Sequence, residues 1–571
     1  MAKKLSQKPK TVQAETLPPD AAEFKTGFAK WLPMIVLSVA LMIIIIDTTV
    51  LNVSIRNIVN DIGTNIQGIQ WVITGYALTL AALTITGGRL GDLFGRKKMF
   101  MLGAAIFAIG SFITSISHSL GMLLVGEAVI EGVGAALMMP ATASLLVSNY
   151  KGRDRAIAFG IWGGIAGAAS AIGPVLGGYL TTNFSWRWAF RINIIIAALL
   201  LVGSFFIAES LDRAEERKLD FVGVLLSAGG LLAFVYGVIE SSTYGWWSAR
   251  TSFDIFHHSF APWGLSIAPF AMALGVVLLI AFGLWEKRVE AQGRTPLMSL
   301  KLLANKQFTS GTATVALMSL GMTGLIFSLP IFLQSVQNLD ALHTGLALLP
   351  MSIAVLIAAP GSAALAKHIT AKRLIQTGLF ITVLASALLR SLISPTASVM
   401  HLAPGLALFG LGMGLVFAQS SNLALSAVSV EQSGEASGVN NTIRQIGTSF
   451  GSAIIGAVVL TTLASGLSTG VLNSSVIPVA AKPALAQQVS QQASNVELGG
   501  VGKDKATRQL SPQVTSELTR IAHQASSDGS RKAIAYTGVF LLAALAVSTA
   551  LPNTHDLEKR GREGAPVAAA H

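Results

Sequence analysis

The chain has 571 residues, 52% of them hydrophobic and only 12% charged, which leaves too little polar surface for a water-soluble globule. Cysteine is absent, and this excludes disulfide frameworks, thiolate metal sites and thiol nucleophiles. A formal net charge of +12 would suggest nucleic-acid binding in a soluble protein, so the placement of the charges decides what it means.

Residues 1–30 form a polar tail carrying Lys3, Lys4, Lys8, Lys10, Lys25 and Lys30. The apolar run that follows, 31–55, is longer than a signal-peptide core and has no small-residue cleavage site, so it reads as a retained first helix. Further runs at 69–89, 99–116, 120–147, 156–180 and 189–208 complete a first bundle of about six helices, spanning 31–208. A charged stretch with Arg213, Glu215, Glu216, Arg217 and Lys218 opens a linker region, 209–306. Within it an apolar pair, 221–239 and 264–285, reads as an insertion between two halves.

The second half, 307–552, repeats the pattern at 308–334, 342–365, 374–393, 401–428, 438–463 and 533–551. Its polar segment 465–531, rich in Gln, Ser, Asn and Lys, is expected to be a loop with surface helices at 483–494 and 512–524. That loop is an external lid, a docking surface for a periplasmic or cell-wall partner, or a tolerated insertion. Residues 553–571 form a second tail. Each apolar run is long enough for a hydrocarbon core of ~30 Å, giving about fourteen spans in an all-α membrane protein.

Basic residues in short loops mark the cytoplasmic side. The N-terminal tail, Arg96 to Lys98, Lys151 to Arg155, Lys287 to Arg294 and Lys367 to Arg373 all fall in loops of one parity, whereas the other parity carries isolated Arg56, Arg187 and Arg250. Both termini are therefore expected in the cytoplasm of a multi-pass protein of the cell (inner) membrane. The net charge becomes a topology signal, with no nucleic acid as partner.

The loop after the second run reads Gly88-Arg89-Leu90-Gly91-Asp92-Leu93-Phe94-Gly95-Arg96-Lys97-Lys98, in which an acid at a helix end faces a basic turn across a glycine. It resembles the signature loop of the major facilitator superfamily, with Leu93 where that family often has a basic residue. The resemblance implies a cytoplasmic gate latch of Arg89, Asp92, Gly95 and Arg96, the plainer reading being a topogenic loop. A weaker echo, Ala359-Pro360-Gly361 through Lys372-Arg373, lacks the acid, as a diverged repeat would.

The fifth run contains Gly163, Gly167, Gly173, Pro174, Gly177 and Gly178, small residues that let a neighbouring helix approach closely. Its end, Gly173-Pro174-Val175-Leu176-Gly177-Gly178, resembles the antiporter motif of the superfamily's exporters, and a purely structural packing helix is the alternative. Asp47-Thr48-Thr49-Val50-Leu51-Asn52-Val53, Trp71 to Tyr76 and Trp186-Arg187-Trp188-Ala189-Phe190 are similar to the fourteen-helix drug:proton antiporter group. Stretches through Phe332-Leu333-Gln334 and Arg444-Gln445-Ile446-Gly447 extend the likeness across the second half. The resemblance implies two six-helix bundles with an extra pair between them.

Ionisable residues inside spans are costly and so mark function by default. Asp47 follows an aliphatic run, where low dielectric penalises the charged form and lets the group take up a proton. Glu127 and Glu131, four apart, share a helix face, and two like charges there should keep at least one protonated. The superfamily usually has Arg at the position of Ala128 and often Gln at that of Glu131. With its first and fourth helices along the central cavity, the resemblance implies one acidic cluster for protons or a substrate cation, the alternative being ion pairs of the glutamates with Arg56 or Arg191. Gln334, Gln419, Asn422 and Arg444 are expected as cavity polar groups, Arg444 also fitting a structural contact. Trp71, Phe327, Phe332 and Phe417 suit either packing or cation–π contact with flat cations.

No phosphate loop, no His-Glu-x-x-His and no Gly-x-Ser-x-Gly with triad partners appears, so no enzyme, cofactor or metal is expected. The expected partners are the lipid bilayer, a small-molecule substrate and protons or another cation. The expected function is secondary active efflux of lipophilic or cationic small molecules by proton antiport. The alternatives are a dedicated exporter of a metabolite, amino acid, lipid or siderophore, and a non-transporting membrane sensor motivated by the missing basic residue at Ala128.

Overall fold

A computed structural model describes residues 27–551, apart from 151, 210–219, 250–252, 256–257, 261, 295, 298–301, 303, 367, 426–432 and 492–510. The fold is helical, with one short antiparallel hairpin, Phe253–Ile255 against His258–Phe260, in register Phe253 to Phe260. The first half comprises α1 (Leu32–Ile62), α2 (Ile66–Phe94), α3 (Arg96–Ser115), α4 (Leu120–Leu123), a π-helical stretch (Leu124–Glu131), α5 (Gly132–Asn149), α6 (Gly152–Asn183) and α7 (Arg187–Gly203). The inserted pair is α8 (Phe221–Tyr244) and α9 (Ile267–Ala291). The second half holds α10 (Lys306–Ser335), α11 (Ala341–Ala347), α12 (Leu349–Leu365), α13 (Ala371–Leu392), α14 (Val399–Leu425), α15 (Ser433–Asn473), α16 (Lys482–Gln491) and α17 (Pro512–Ser548).

Local chemistry explains the boundaries. Asn65, Ser119, Asp220, Asn305, Asp340, Thr370 and Ser511 each cap a helix by accepting from a backbone N–H of its first turn, satisfying donors the helix leaves orphaned. Gly63 ends α1 with φ 71°, and Gly95 turns α2 into α3 with φ 107°, both in the region that favours glycine. A Cβ on Gly95 would also stand 2.9 Å from the Glu209 carboxylate, which caps α3 by accepting from the Lys97 N–H at 2.9 Å.

Each of the fourteen expected spans corresponds to a helix. Among the described residues twelve helices are long and apolar enough to cross a membrane, and α11 with α12, bent by 42°, makes a thirteenth. The remaining span is the glycine-rich α6, which packs along α1. Two interior clusters fill the first bundle and a third large one the second. The inserted pair packs tightly because Gly230, Gly237 and Gly275 admit Leu279, Met272 and Phe234. Its α8 lies against both α2 and α15, with Phe234 stacked on Phe450 at 4.9 Å, so the insertion bridges the halves.

One expectation changes. The segment 465–531 is not simply a loop: α15 runs on to Asn473 and α17 begins at Pro512. The extensions enclose their own core of Leu467, Val471, Ile477, Val489, Leu518 and Ile521. Polar residues on the outside of this hairpin lower its average hydropathy, while its inward residues keep a helical i, i+3, i+4 stripe.

Candidate functional site

The three acids come together. Asp47 on α1 and Glu127 and Glu131 on the π stretch are buried, with carboxyl oxygens within 4.8 Å of one another. Close packing sets the π stretch in place. A Cβ on Gly110 of α3 would meet the Glu131 backbone at 2.5 Å, and one on Gly126 would meet Thr114 at 2.6 Å. π-helical turns are rare and often accompany functional sites.

Two residues that the sequence did not single out hold the cluster. The Asn193 amide of α7 donates to Asp47 Oδ1 at 2.8 Å and to Glu131 Oε1 at 3.1 Å. Ser111 of α3 donates to the same Glu131 oxygen at 2.5 Å. Asp47 Oδ2, Glu127 Oε2 and Glu131 Oε2 have no hydrogen-bond partner, nor does the buried Tyr76 hydroxyl. The ion pairs weighed as an alternative do not form. The Arg56 guanidinium donates to the Gln334 carbonyl at 3.1 Å, and Arg191 lies over the Trp188 ring at 5.1 Å.

Glu127 and Tyr76 line a cavity of about 200 Å³ between the bundles, together with Thr48, Asn52, Arg444 and Gln445. Its other wall is apolar and sulfur-rich, with Met322, Met351, Met413, Phe409 and Phe417, a lining that adapts to varied shapes. The volume lies below the ~300–1,000 Å³ of drug-sized pockets, so the cavity must widen to admit such a ligand. The donor chemistry, three carboxyl oxygens and a phenol, suits a hard cation or a proton. Of the other expected polar groups, Arg444 lines the cavity. Gln334 instead donates to the Val53 carbonyl at 2.7 Å, Gln419 donates to Ser362 Oγ at 2.8 Å, and the Asn422 side chain lies outside the described residues. Phe327 and Phe332 sit fully in the core, whereas Trp71 faces a separate groove.

The bundles join firmly at one end of the cavity. Gln70 donates to the Ser452 and Ala453 carbonyls at 3.3 and 3.0 Å, and the Thr74 and Ser452 hydroxyls meet at 2.7 Å. The Arg56 to Gln334 contacts join α1 to α10 there. The end of α6 belongs to this seam. Gly173 and Gly177 admit Thr49 and Val50 of α1, Gly178 admits the Ala341 backbone, and Gly345 abuts the Pro174 carbonyl. Gly163 and Gly167 lie on the same helix, at positions whose surroundings are outside the described set. At the opposite end Arg89 donates to the Pro296 carbonyl at 2.8 Å, and a Cβ on Gly91 would lie 3.6 Å from Arg96. The Asp92 side chain is outside the described residues.

Comparison with known proteins agrees with this architecture. The Major Facilitator Superfamily model matches residues 37–452. The puromycin resistance protein of Streptomyces alboniger is 29% identical, the match covering 75% of this chain and 82% of that protein. The methylenomycin A resistance protein of Bacillus subtilis is 30% identical, covering 75% and 87%. The tetracenomycin C resistance and export protein of Streptomyces glaucescens is 26% identical, covering 95% of each. A crystal structure of a bacterial homologue of the human lysosomal transporter Spinster, inward-facing and unoccupied, aligns with a TM-score of 0.56 at 14% identity, over 92% of this chain and 98% of that one, a likeness of fold. The chain is a multi-pass membrane transporter that belongs to the Major Facilitator Superfamily, within its drug-efflux group.

Proposed function

We propose that the chain exports lipophilic or cationic small molecules across the cell membrane in exchange for protons, with both termini in the cytoplasm. The observation that carries this reading is the burial of Asp47, Glu127 and Glu131 together beside the central cavity, whose wall Glu127 reaches. Three carboxylates this close in an apolar surround cannot all be charged at once. A proton and a cationic substrate are then alternative ways of neutralising one site, which is the competition an antiporter needs.

In the cycle, substrate enters from the cytoplasmic side and sheds protons from the cluster. The seam at Gln70, Thr74, Arg56 and the Gly173 to Gly178 stretch of α6 parts outward, and protons arriving from outside displace the substrate. The Arg89, Asp92, Gly95 and Arg96 loop acts as the cytoplasmic latch, engaged when the outer seam is open. The names of the relatives, resistance to puromycin and methylenomycin A, support small organic substrates. A second reading, a dedicated exporter of one product, is favoured by the tetracenomycin relative, whose match spans 95% of both chains.

The test is efflux of a fluorescent lipophilic cation from energised cells expressing wild type, Asp47→Asn, or Glu127→Gln with Glu131→Gln at equal levels. Protonophore-sensitive efflux by wild type that both variants lose is expected. Wild-type efflux indifferent to the substitutions would overturn the acidic site, and no efflux of the cation at all would favour the dedicated exporter.

A further inference from the structure

A second carboxylate environment lies outside the central cavity. Glu240, in the last turns of α8, is half-buried in a groove of about 600 Å³ between the inserted pair and the first bundle. Leu232, Ala233, Leu274 and Leu278 of the pair line it, with Leu124 of the π stretch opposite and the Trp71 and Tyr236 rings at its polar end. Leu232 and Leu274 of the lining, with Val277 beside them on α9, are exposed and apolar, so the groove opens sideways toward lipid.

Both oxygens of Glu240 act as acceptors, from the Trp71 indole N–H at 2.9 Å and the Gln67 amide at 3.3 Å. Two donors and no acceptor face Glu240 in these contacts, an arrangement that accommodates a carboxylate. No Lys, Arg or His is among the described residues lining the groove. A carboxyl group near the end of a span, beside an apolar groove whose described lining holds no cation, is placed to bind a positively charged ligand. The Trp71 and Tyr236 rings, 5.8 Å apart and tilted by 45°, stand beside it, and aromatic faces attract cations once water is excluded.

We infer that this groove is a lateral binding site for a lipophilic organic cation, held by Glu240 and the Trp71 and Tyr236 rings and entered from the bilayer. The volume falls in the range of small-molecule sites. An aminophospholipid is a poorer match, because its phosphate would find no basic side chain among the lining residues. The site is separate from the acidic cluster, and its readout needs no transport.

The experiment measures binding of radiolabelled tetraphenylphosphonium to the full-length chain in phosphatidylcholine nanodiscs. Glu240→Gln removes the charge, and Leu232→Trp fills the groove without touching it. Both are expected to weaken one binding component at least tenfold, while Asp47→Asn retains that component and neutral triphenylphosphine oxide does not compete for it. Wild-type binding in both groove variants would overturn the site, as would loss of the same component in Asp47→Asn. Displacement of the component by phosphatidylethanolamine in the nanodisc would reassign the groove to lipid and equally overturn the inference. Failure of the central antiport reading appears differently, as efflux unchanged by Asp47→Asn with this component intact.

Discussion

Asn193 shows what one neutral side chain does among acids. Its amide donates to Asp47 and Glu131 at once, tying α7 to α1 and to the π stretch. Removing a donor from buried acceptors costs about 1–3 kcal/mol, so Asn193→Ala is expected to lower stability by that amount in thermal unfolding of detergent-purified protein. A change under ~0.5 kcal/mol, the range of ordinary surface substitutions, would show that the cluster does not depend on the amide. The acids themselves were legible in the sequence because charge inside an apolar run is conspicuous. Asn193 was not, because an Asn in such a run looks the same whether it meets a carboxylate or a backbone carbonyl. Glu240 was missed for a related reason, since it falls just past the apolar run 221–239, in turns that the helix adds before Tyr244.

Among the elements, α11 has a small residue count and a large role. Asp340 caps it, accepting from the His343 N–H at 2.7 Å, and this places Ala341 against Gly178 of the first bundle. Partial burial works against the Asp340 charge, but the His343 backbone and side-chain hydrogen bonds outweigh it and hold the carboxyl below its ordinary value. A depressed carboxyl stabilises above its unfolded value, about 3.9, and loses that contribution as pH falls through the folded value. Asp340→Ala is therefore expected to cost about 0.5–2 kcal/mol near neutral pH, as loss of an N-cap does, with the gap to wild type closing below about pH 4. Unfolding midpoints measured across pH check this, and a gap that persists in acid would rule out the charged cap. Element positions were largely readable from hydropathy alone. The π stretch was not, because it packs against α3 at Gly110 and Gly126, a tertiary contact that leaves no periodic trace. Helices at 483–494 and 512–524 were expected, but not the run of α15 on to Asn473 or the continuity of the second with the last span, because averaging over a polar helix hides its apolar stripe.

For the whole molecule, the division into two bundles and an inserted pair follows from the order of apolar runs, but which surfaces meet does not. Apart from Arg56, the seam at one end is built of hydroxyls, the Gln70 and Gln334 amides, backbone carbonyls and glycines, groups that carry little signal in a sequence. Its opening can be tested directly, since the Thr74 and Ser452 hydroxyls lie 2.7 Å apart and the native chain has no cysteine. In a Thr74→Cys, Ser452→Cys variant, a membrane-permeant oxidant is expected to join the bundles and stop efflux, and a thiol reductant to restore it. Full cross-linking with undiminished efflux would show that this end need not part.

The hairpin of α15 and α17 has a mechanical consequence. These helices have 41 and 37 residues, lengths of about 60 and 55 Å at 1.5 Å per residue, against a hydrocarbon core of ~30 Å. Their projecting ends share a packed core and a Ser474 to Glu517 hydrogen bond of 2.8 Å, so they form a stiff mast rooted in the second bundle. A rocking of that bundle by about 10° would sweep a mast tip some 25 Å above the bilayer through roughly 4 Å, lengths that follow from the same helical rise. Any tilt of that bundle during transport would therefore be magnified at the far end of this paired extension.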